Sequence, residues 1–358
     1  MASITEVARL AGVSVATASR VVSASDYPVS AATRERVLDA ARELDYVPNA
    51  LARGLLKSRV PVVGVIVHDI TDPYFAEVVR GVEDAATGSG YLVITCSSER
   101  DAEREREYIR LLRSMQAAAV VFAGSGLDDP GANEEIARHL AAMRADGAAV
   151  VHLSPHADGE PDVGVDNAAG IGAMVTALVG LGHRRIAFLA GPQALFVARD
   201  RLLGYRRGLE AADIAFDPTL VLHGGFDREA GAAGIDALLA GGTSFTALCC
   251  ANDLLALGAL ARLAELGIAV PDDVSVAGFD DISVAAMTAP SLSTVRLPLR
   301  ELGRRGFLHA DTALGGGSAP CETLPTTLVL RASTAAPPAL PLPHRIPPAL
   351  PNDTGATA

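Results

Sequence analysis

Residues 3–22 read SITEVARLAGVSVATASRVV, and this stretch decides how the N-terminal part of the chain folds. Ser3-Ile4-Thr5-Glu6 has the pattern of a capping box, in which the Ser side chain accepts from the backbone N–H three residues on and Glu6 reaches back. Ile4, Val7, Ala8 and Ala11 follow at helical spacing. Gly12 then stops the helix, because Gly tolerates the left-handed conformation just past a helix end. Ser14 is placed to cap a second helix over 15–22 and Ser30 a third over about 31–44. Val37, Leu38, Ala41 and Leu44 share a face of the third. Helices this short are not stable alone, so the three must pack on one another.

A helix, a Gly-Val turn and a Ser-capped helix form a helix-turn-helix pattern. On DNA such a motif lays its second helix in the major groove and offers that helix's first residues to base edges. Here those are Val15, Ala16, Thr17, Ser19 and Arg20. Arg20 can donate twice to a guanine edge. Val15 and Ala16 can make only apolar contacts, and Ser14, Thr17 and Ser30 suit phosphate oxygens. The pattern alone fits a small helical interaction module equally well.

Working outward, the chain has 358 residues, 49% of them hydrophobic and 20% charged, with a net charge of −12. That apolar content excludes general disorder. The charge argues against a nucleic-acid partner only if taken as one number. Residues 1–59 hold 8 Lys/Arg against 6 Asp/Glu, and the remainder 22 against 36. A mildly basic head thus precedes an acidic body. No apolar run approaches the ~20 residues of a membrane helix, and the N-terminus lacks the pattern of a secretory signal. A cytoplasmic protein is expected. Cys96, Cys249, Cys250 and Cys321 have no metal spacing and read as reduced thiols. His68, His152 and His183 are equally scattered. No metal or cofactor is expected, and no nucleophile elbow or paired catalytic acids point to an enzyme.

Residues 47–59 form a linker. Pro48 can open a short helix there, while Gly54 weakens it by roughly 1 kcal/mol relative to Ala. From 60 to 331 apolar runs alternate with amphipathic stretches: PVVGVIV (61–67), YLVITC (91–96), AAAVVFAG (117–124), AAVVHL (148–153), RIAFLAG (185–191), LVLH (220–223), TALCCAND (246–253) and VSVAGFDD (274–281). Such runs with helical crossovers imply parallel sheets covered on both faces, and the length implies two of them. Ligands of such sheets lie beyond the carboxyl ends of the strands. Asp69 and the Asp72-Pro73-Tyr74-Phe75 turn, Arg199 and Arg201, Phe226, Asn252 and Asp280 stand at those ends. Asp253 could as well cap a helix, Asp281 serve a turn and Arg199 be a structural ion-pair partner. Forked donors, an amide, a carboxylate and an aromatic face suit a polyhydroxylated ring. Residues 332–358 hold 7 of the 21 prolines and are expected to be a disordered tail.

Several stretches together resemble the lactose/galactose repressor family. They are ITEVARLAGVSVATASRVV (4–22), TRERVLDAARELDYVPN (33–49), ALARGL (50–55), GVIVHDITDPYFAEVVRGVEDAA (64–86), LGHRRIAFLAGP (181–192), ARDRLLGYRRGL (198–209), CANDLLALGAL (250–260) and DDVSVAGFDD (272–281). The likeness runs over about 3–334. It implies an all-α helix-turn-helix domain at 1–46 and a hinge at 47–59. An α/β periplasmic-binding-protein-like domain of two doubly wound parallel-sheet subdomains follows. The N-subdomain is expected at about 60–163 and 292–318, the C-subdomain at about 164–291 and 319–331. It further implies a homodimer on a pseudo-palindromic operator. Its hinge helices would enter the minor groove through Asn49 and Ala52, with Leu55 wedging a central CG step. A small effector, sugar-like, would occupy the cleft between subdomains. The family positions matching Arg201, Asn252 and Asp280 bind hydroxyls, and that matching Phe226 stacks on the ligand. One departure is the run AAVVHLSPH (148–156), which offers Leu153, Ser154 and His156 where sugar-binding members often carry Asp. That leaves room for a disaccharide, a nucleoside or purine-type co-repressor, or a phosphorylated metabolite. A solute-binding receptor without a DNA role is the remaining rival. It would share the body and lack residues 1–59.

Overall fold

Three local caps set out the head. Ser3 Oγ accepts from Glu6 N at 3.3 Å while Glu6 Oε2 accepts from Ser3 N at 2.7 Å, and this reciprocal box opens α1 (Ile4–Ala11). Gly12, at φ 64°, closes it. Ser14 Oγ accepts from Thr17 N at 3.1 Å at the start of α2 (Val15–Val22). Ser30 caps α3 (Ala31–Glu43) in the same way. Val7, Ala8, Ala11, Ala18, Val21, Val37 and Ala40 pack into one small core. The computed structural model describes residues 2–22, 28–46, 59–159 and 161–342. Asn49, Ala52 and Leu55 lie outside them.

The body holds two parallel four-stranded sheets. In the first, β1 (Val60–Val67), β2 (Leu92–Ser97), β3 (Ala117–Phe122) and β4 (Ala149–His152) stand in the order β2-β1-β3-β4. The crossovers are α4 (Pro73–Gly88), α5 (Ala102–Ser114) and α6 (Pro130–Ala145). β3 is buried along its whole length, as a strand covered on both faces must be. After β5 (Val163–Val165) comes the second unit: α7 (Asn167–Gly180), β6 (Ile186–Leu189), α8 (Phe196–Glu210), β7 (Val221–Leu222), α9 (Arg228–Ala240), β8 (Ala247–Cys250), α10 (Asp253–Glu265) and β9 (Ser275–Ala277), in the order β7-β6-β8-β9. The chain then returns through β10 (Thr294–Arg296) to α11 (Leu299–Leu314), which packs on α4 and β4 of the first unit. It crosses again between β11 (Glu322–Leu324) and β12 (Thr327–Val329). β12 lies antiparallel to β10.

Two boundaries differ from expectation. β11 pairs in parallel with β5, Glu322 opposite Val163 and Leu324 opposite Val165. β5 also contacts β4 and α11, so this pair extends the first unit. The first crossing therefore follows Val165 rather than residue 163, and the last follows Leu324 rather than residue 318. The expected disordered tail is also corrected over 332–342. Ser333 N donates to Ser291 O at 3.0 Å and Val276 N to Ser333 O at 2.8 Å. His183 Nε2 meets Ala335 O at 2.9 Å. Leu342, wholly buried, exchanges both backbone hydrogen bonds with Phe245. Proline density forbids a helix or a ladder strand, but not an extended strap that hides a few backbone groups and one leucine. Of the four thiols, Cys96, Cys249 and Cys250 are buried and Cys321, just before β11, is exposed.

Candidate effector cleft and DNA-reading helix

The carboxyl ends of the two sheets face one cavity. As it stands the cavity is narrow, with about 40 Å³ of free volume, so a ligand larger than a water or two must part its walls. Arg201, on the second turn of α8, is its best-anchored side chain. It donates from Nε to Asn167 Oδ1 at 3.0 Å, from Nη1 to Ala251 O at 2.6 Å and from Nη2 to Asp280 Oδ1 at 3.3 Å. Its Cζ also lies 4.2 Å from the Phe279 ring centre. Burial pushes the Asp280 carboxyl well above its usual range, and Arg201 pulls it partly back. Phe226 lines the same wall and is nearly buried. Asn252 lines it too, but both ends of its amide are engaged. Oδ1 caps α10 through Leu255 N at 2.9 Å, and Nδ2 holds Phe226 O at 3.1 Å. Asn252 thus orients the aromatic wall as well as lining the cavity.

From the first unit come Tyr74 and Phe75, set edge to face with ring centres 4.9 Å apart. Burial raises the Tyr74 hydroxyl to about 12, so it stays protonated and able to donate. Two expected residues are not in the lining. Asp69 Oδ1 accepts from Thr71 N and Oγ1, at 2.8 and 2.7 Å, and so holds a turn. Asp72, which caps α4 through Tyr74 N at 2.9 Å, lines the cavity instead. Arg199 pairs outside with Asp128, at the cleft rim.

Ser154, which the sequence offers where relatives carry Asp, lines the cavity, and so do Arg100, His68 and Ser125, which reasoning from sequence missed. Arg100 brings a second guanidinium. Its Cζ stands 5.8 Å from the Phe226 ring centre and that of Arg201 5.9 Å, so one arginine from each unit faces this ring. The buried Nε of Arg100 finds no hydrogen-bond partner among the described residues. The signal was present: Ser-Glu-Arg ends the YLVITC run, and strand ends are where such residues gather. His68 is pushed down to about 3, chiefly by burial, and is therefore neutral, with Nε2 on Ser125 O at 3.0 Å. Ser125 Oγ in turn accepts from Val197 N of the second unit at 3.1 Å. With Asp128 N donating to Ala194 O at 2.6 Å, the two lips of the cleft are joined. The lining thus comprises two guanidiniums, two carboxyls, an amide, three hydroxyls, an imidazole and the rings of Tyr74, Phe75 and Phe226, a set able to grip a small polar ring from both sides.

On the head, Ser14, Val15, Ala16 and Arg20 are exposed along the start and outer face of α2, while Thr17 and Ser19 are half-buried. Ser14, Thr17 and Ser30 spend their hydroxyls on caps.

A helix-turn-helix head tethered to a two-lobed periplasmic-binding-protein-like receptor is the architecture of a ligand-responsive DNA-binding regulator. Residues 3–49 match the bacterial regulatory proteins of the lacI family, and residues 175–334 match the periplasmic binding protein-like domain. The chain is 34% identical to the HTH-type transcriptional repressor CytR of Escherichia coli (strain K12), over 94% of this chain and 97% of that protein. It is 35% identical to the repressor PurR of Vibrio atlanticus (strain LGP32), over 86% and 90%. Among solved structures it resembles the lac repressor dimer bound to operator and the anti-inducer ONPF, with a TM-score of 0.81, 28% identity and coverage of 94% and 99%. It also resembles a complex of the transcriptional regulator CelR with cellobiose, with a TM-score of 0.68, 33% identity and coverage of 93% and 100%. The chain belongs to the lacI family of transcriptional regulators. No helix among the described residues is long and apolar enough to cross a membrane.

Proposed function

We propose that the protein is a cytoplasmic repressor that binds a pseudo-palindromic operator as a homodimer and responds to a small sugar-like effector in the cleft. The observation that carries the effector reading is the convergence of Arg100, Arg201, Asp280 and Phe226, drawn from both units, on one cavity. A ligand held there contacts both units at once and so favours one angle between them, which is what differential affinity for two conformations requires. The head reads each half-site through α2, with Arg20 on a guanine, and the hinge with Asn49, Ala52 and Leu55 spans the centre. The CytR and lac repressor likenesses support the DNA role, and the cellobiose complex supports a sugar.

A nucleoside is the second reading. Ser154, not a carboxylate, lines the cavity after β4, and the Phe226 and Tyr74 faces suit a planar base. A thermal-shift screen of mono- and disaccharides, their phosphates and nucleosides tests both. A ligand that raises the melting temperature of the native protein but not of an Arg201→Ala variant supports the cleft. Equal shifts in the two proteins refute it.

A further inference from the structure

Two pairs of sequence neighbours stand at the ends of β8 and β9. In each pair the first residue lines the cleft and the second holds a segment that crosses between the subdomains. Asn252 lines the cavity. Its neighbour Asp253, wholly buried, accepts from Thr294 Oγ1 of β10 at 2.6 Å and from Ile282 N at 2.9 Å. Asp280 lines the cavity and meets Arg201. Its neighbour Asp281 accepts from Arg296 Nε at 2.6 Å and from Arg331 Nη2 at 2.7 Å. Arg296 ends β10, and Arg331 follows β12, the antiparallel partner of β10. Arg331 also donates from Nη1 to Leu292 O at 2.7 Å, just ahead of β10. One carboxylate therefore ties together two of the three connections between subdomains. The remaining connection is held by Arg201 itself, through Asn167 at the start of α7.

The backbone reinforces the link. Asp280 N donates to Val295 O at 2.9 Å and Leu297 N to Asp280 O at 3.3 Å. Asp280 and Asp281 both have positive φ, 114° and 57°. Successive non-glycine residues persist in that region only where their surroundings over-determine them. A ligand that draws Asp280 away from Arg201 cannot turn that residue without also turning Asp281, and with it the grip on β10 and on Arg331.

We infer that Asp253 and Asp281 are positioning residues that convert occupancy of the cleft into a change in the angle between the subdomains, by fastening β10 and the segment after β12 to the strand ends that carry Asn252 and Asp280. This rests on the regulator reading, yet its test needs no effector. The full-length protein selects its operator from a random duplex library. Affinities for that duplex and for a random-sequence duplex are then compared at one salt concentration. Binding to random sequence is dominated by sequence-independent phosphate contacts and does not need the two heads in operator register, so the ratio reports how the body presents them. Asp281→Asn and Asp253→Asn should shift the ratio fivefold or more, with dimer mass and circular dichroism unchanged. Arg296→Gln removes only the solvent-exposed half of the clamp and should fold normally. It should shift the ratio less and in the same direction, and add nothing in the Asp281→Asn background. A ratio within twofold of wild type in Arg296→Gln and Asp281→Asn, with only a lower melting temperature, would show a merely structural role and overturn the inference. So would additive effects of those two substitutions. Enrichment of no sequence by the wild type would overturn the regulator reading and this inference with it. Absence of any sugar response would leave the inference standing.

Discussion

Arg201 and Asp280 face each other at 3.3 Å inside the cleft, each about 5% exposed. They carry the only fully enclosed Arg–carboxylate pair among the described ion pairs. Removing one member strands the other charge in a poorly hydrated site, which typically costs about 3–5 kcal/mol. Asp280→Ala should therefore lower the urea midpoint strongly. Replacing both by apolar residues of similar volume, Arg201→Met with Asp280→Leu, should cost less than the single change. Equal or larger loss in the double variant would show that the pair is not the source of the effect.

A buried histidine gives the protein an acid sensitivity that one substitution isolates. His152 is packed against His156, ring centres 4.3 Å apart, and its buried Nε2 has no partner among the described residues. Burial pushes it down to about 4. A histidine in an unfolded chain titrates near 6.5. Between about pH 4 and 6.5 the unfolded chain thus takes up a proton that the fold refuses, and the folded state loses ground as pH falls. Elsewhere burial raises Asp253 and Glu105 to about 7, which acts in the opposite sense, so the comparison must be between two proteins. His152→Phe should gain on wild type by up to about 1.4 kcal/mol per pH unit between pH 6.5 and 4. Parallel stability curves from urea titrations at several pH values would refute this.

Gly303 sits where α11 crosses α4. A Cβ there would meet Val78 O at 1.9 Å, and one at Gly81 would meet Arg300 O at 2.0 Å. Backbone cannot yield as a flexible side chain does, so the helices must part. Gly303→Ala should cost roughly 1–3 kcal/mol as an overpacked contact. Gly88→Ala on the same α4, with open space around the added methyl, should cost far less. The two melting temperatures decide it.

The strap at 332–342 is expected to bear on stability. Ending the chain at Arg331 strips Val276 N of its acceptor and Ser293 N of Ser333 Oγ, and each buried group left unsatisfied costs about 1–3 kcal/mol. The truncated protein should melt at least about 4 °C lower. An unchanged melting temperature would mean that water replaces the strap without loss.

At the head, Arg20→Ala should cost roughly 1–3 kcal/mol in operator binding and relax base preference at one position per half-site. Selection from a random library reads this directly. An unaltered sequence profile would remove Arg20 from base reading and leave it a phosphate contact.

The caps of α1, α2 and α3 were legible because each depends on residues within four positions of one another. The strands were legible from apolar runs, and the cleft wall of Arg201, Phe226, Asn252 and Asp280 from its place at strand ends. Three errors have local physical causes. Arg199 and Arg201 sit two apart on one helix, so they cannot share a face, and only the second points inward. Asp69 and Asp72 flank one turn, and which carboxylate lines the cavity depends on which caps α4. Arg100 ends a strand but abuts the charged run of α5, which hid it. Proline counting fails at 332–342 because it measures incapacity for helix and sheet, not incapacity to be pinned by a neighbour.

The uneven burial of the thiols has a practical consequence. Cys249 and Cys250 are wholly enclosed and Cys249 is raised to about 12, while burial also raises Cys96. A thiol held protonated is slow to react. Cys321 alone is open, one residue before the strand on which the chain makes its last passage between lobes. A maleimide dye should therefore attach once per protomer, with no engineering, at the seam whose bending is in question. Its fluorescence then offers a direct optical record of the molecule flexing as ligand and DNA are added.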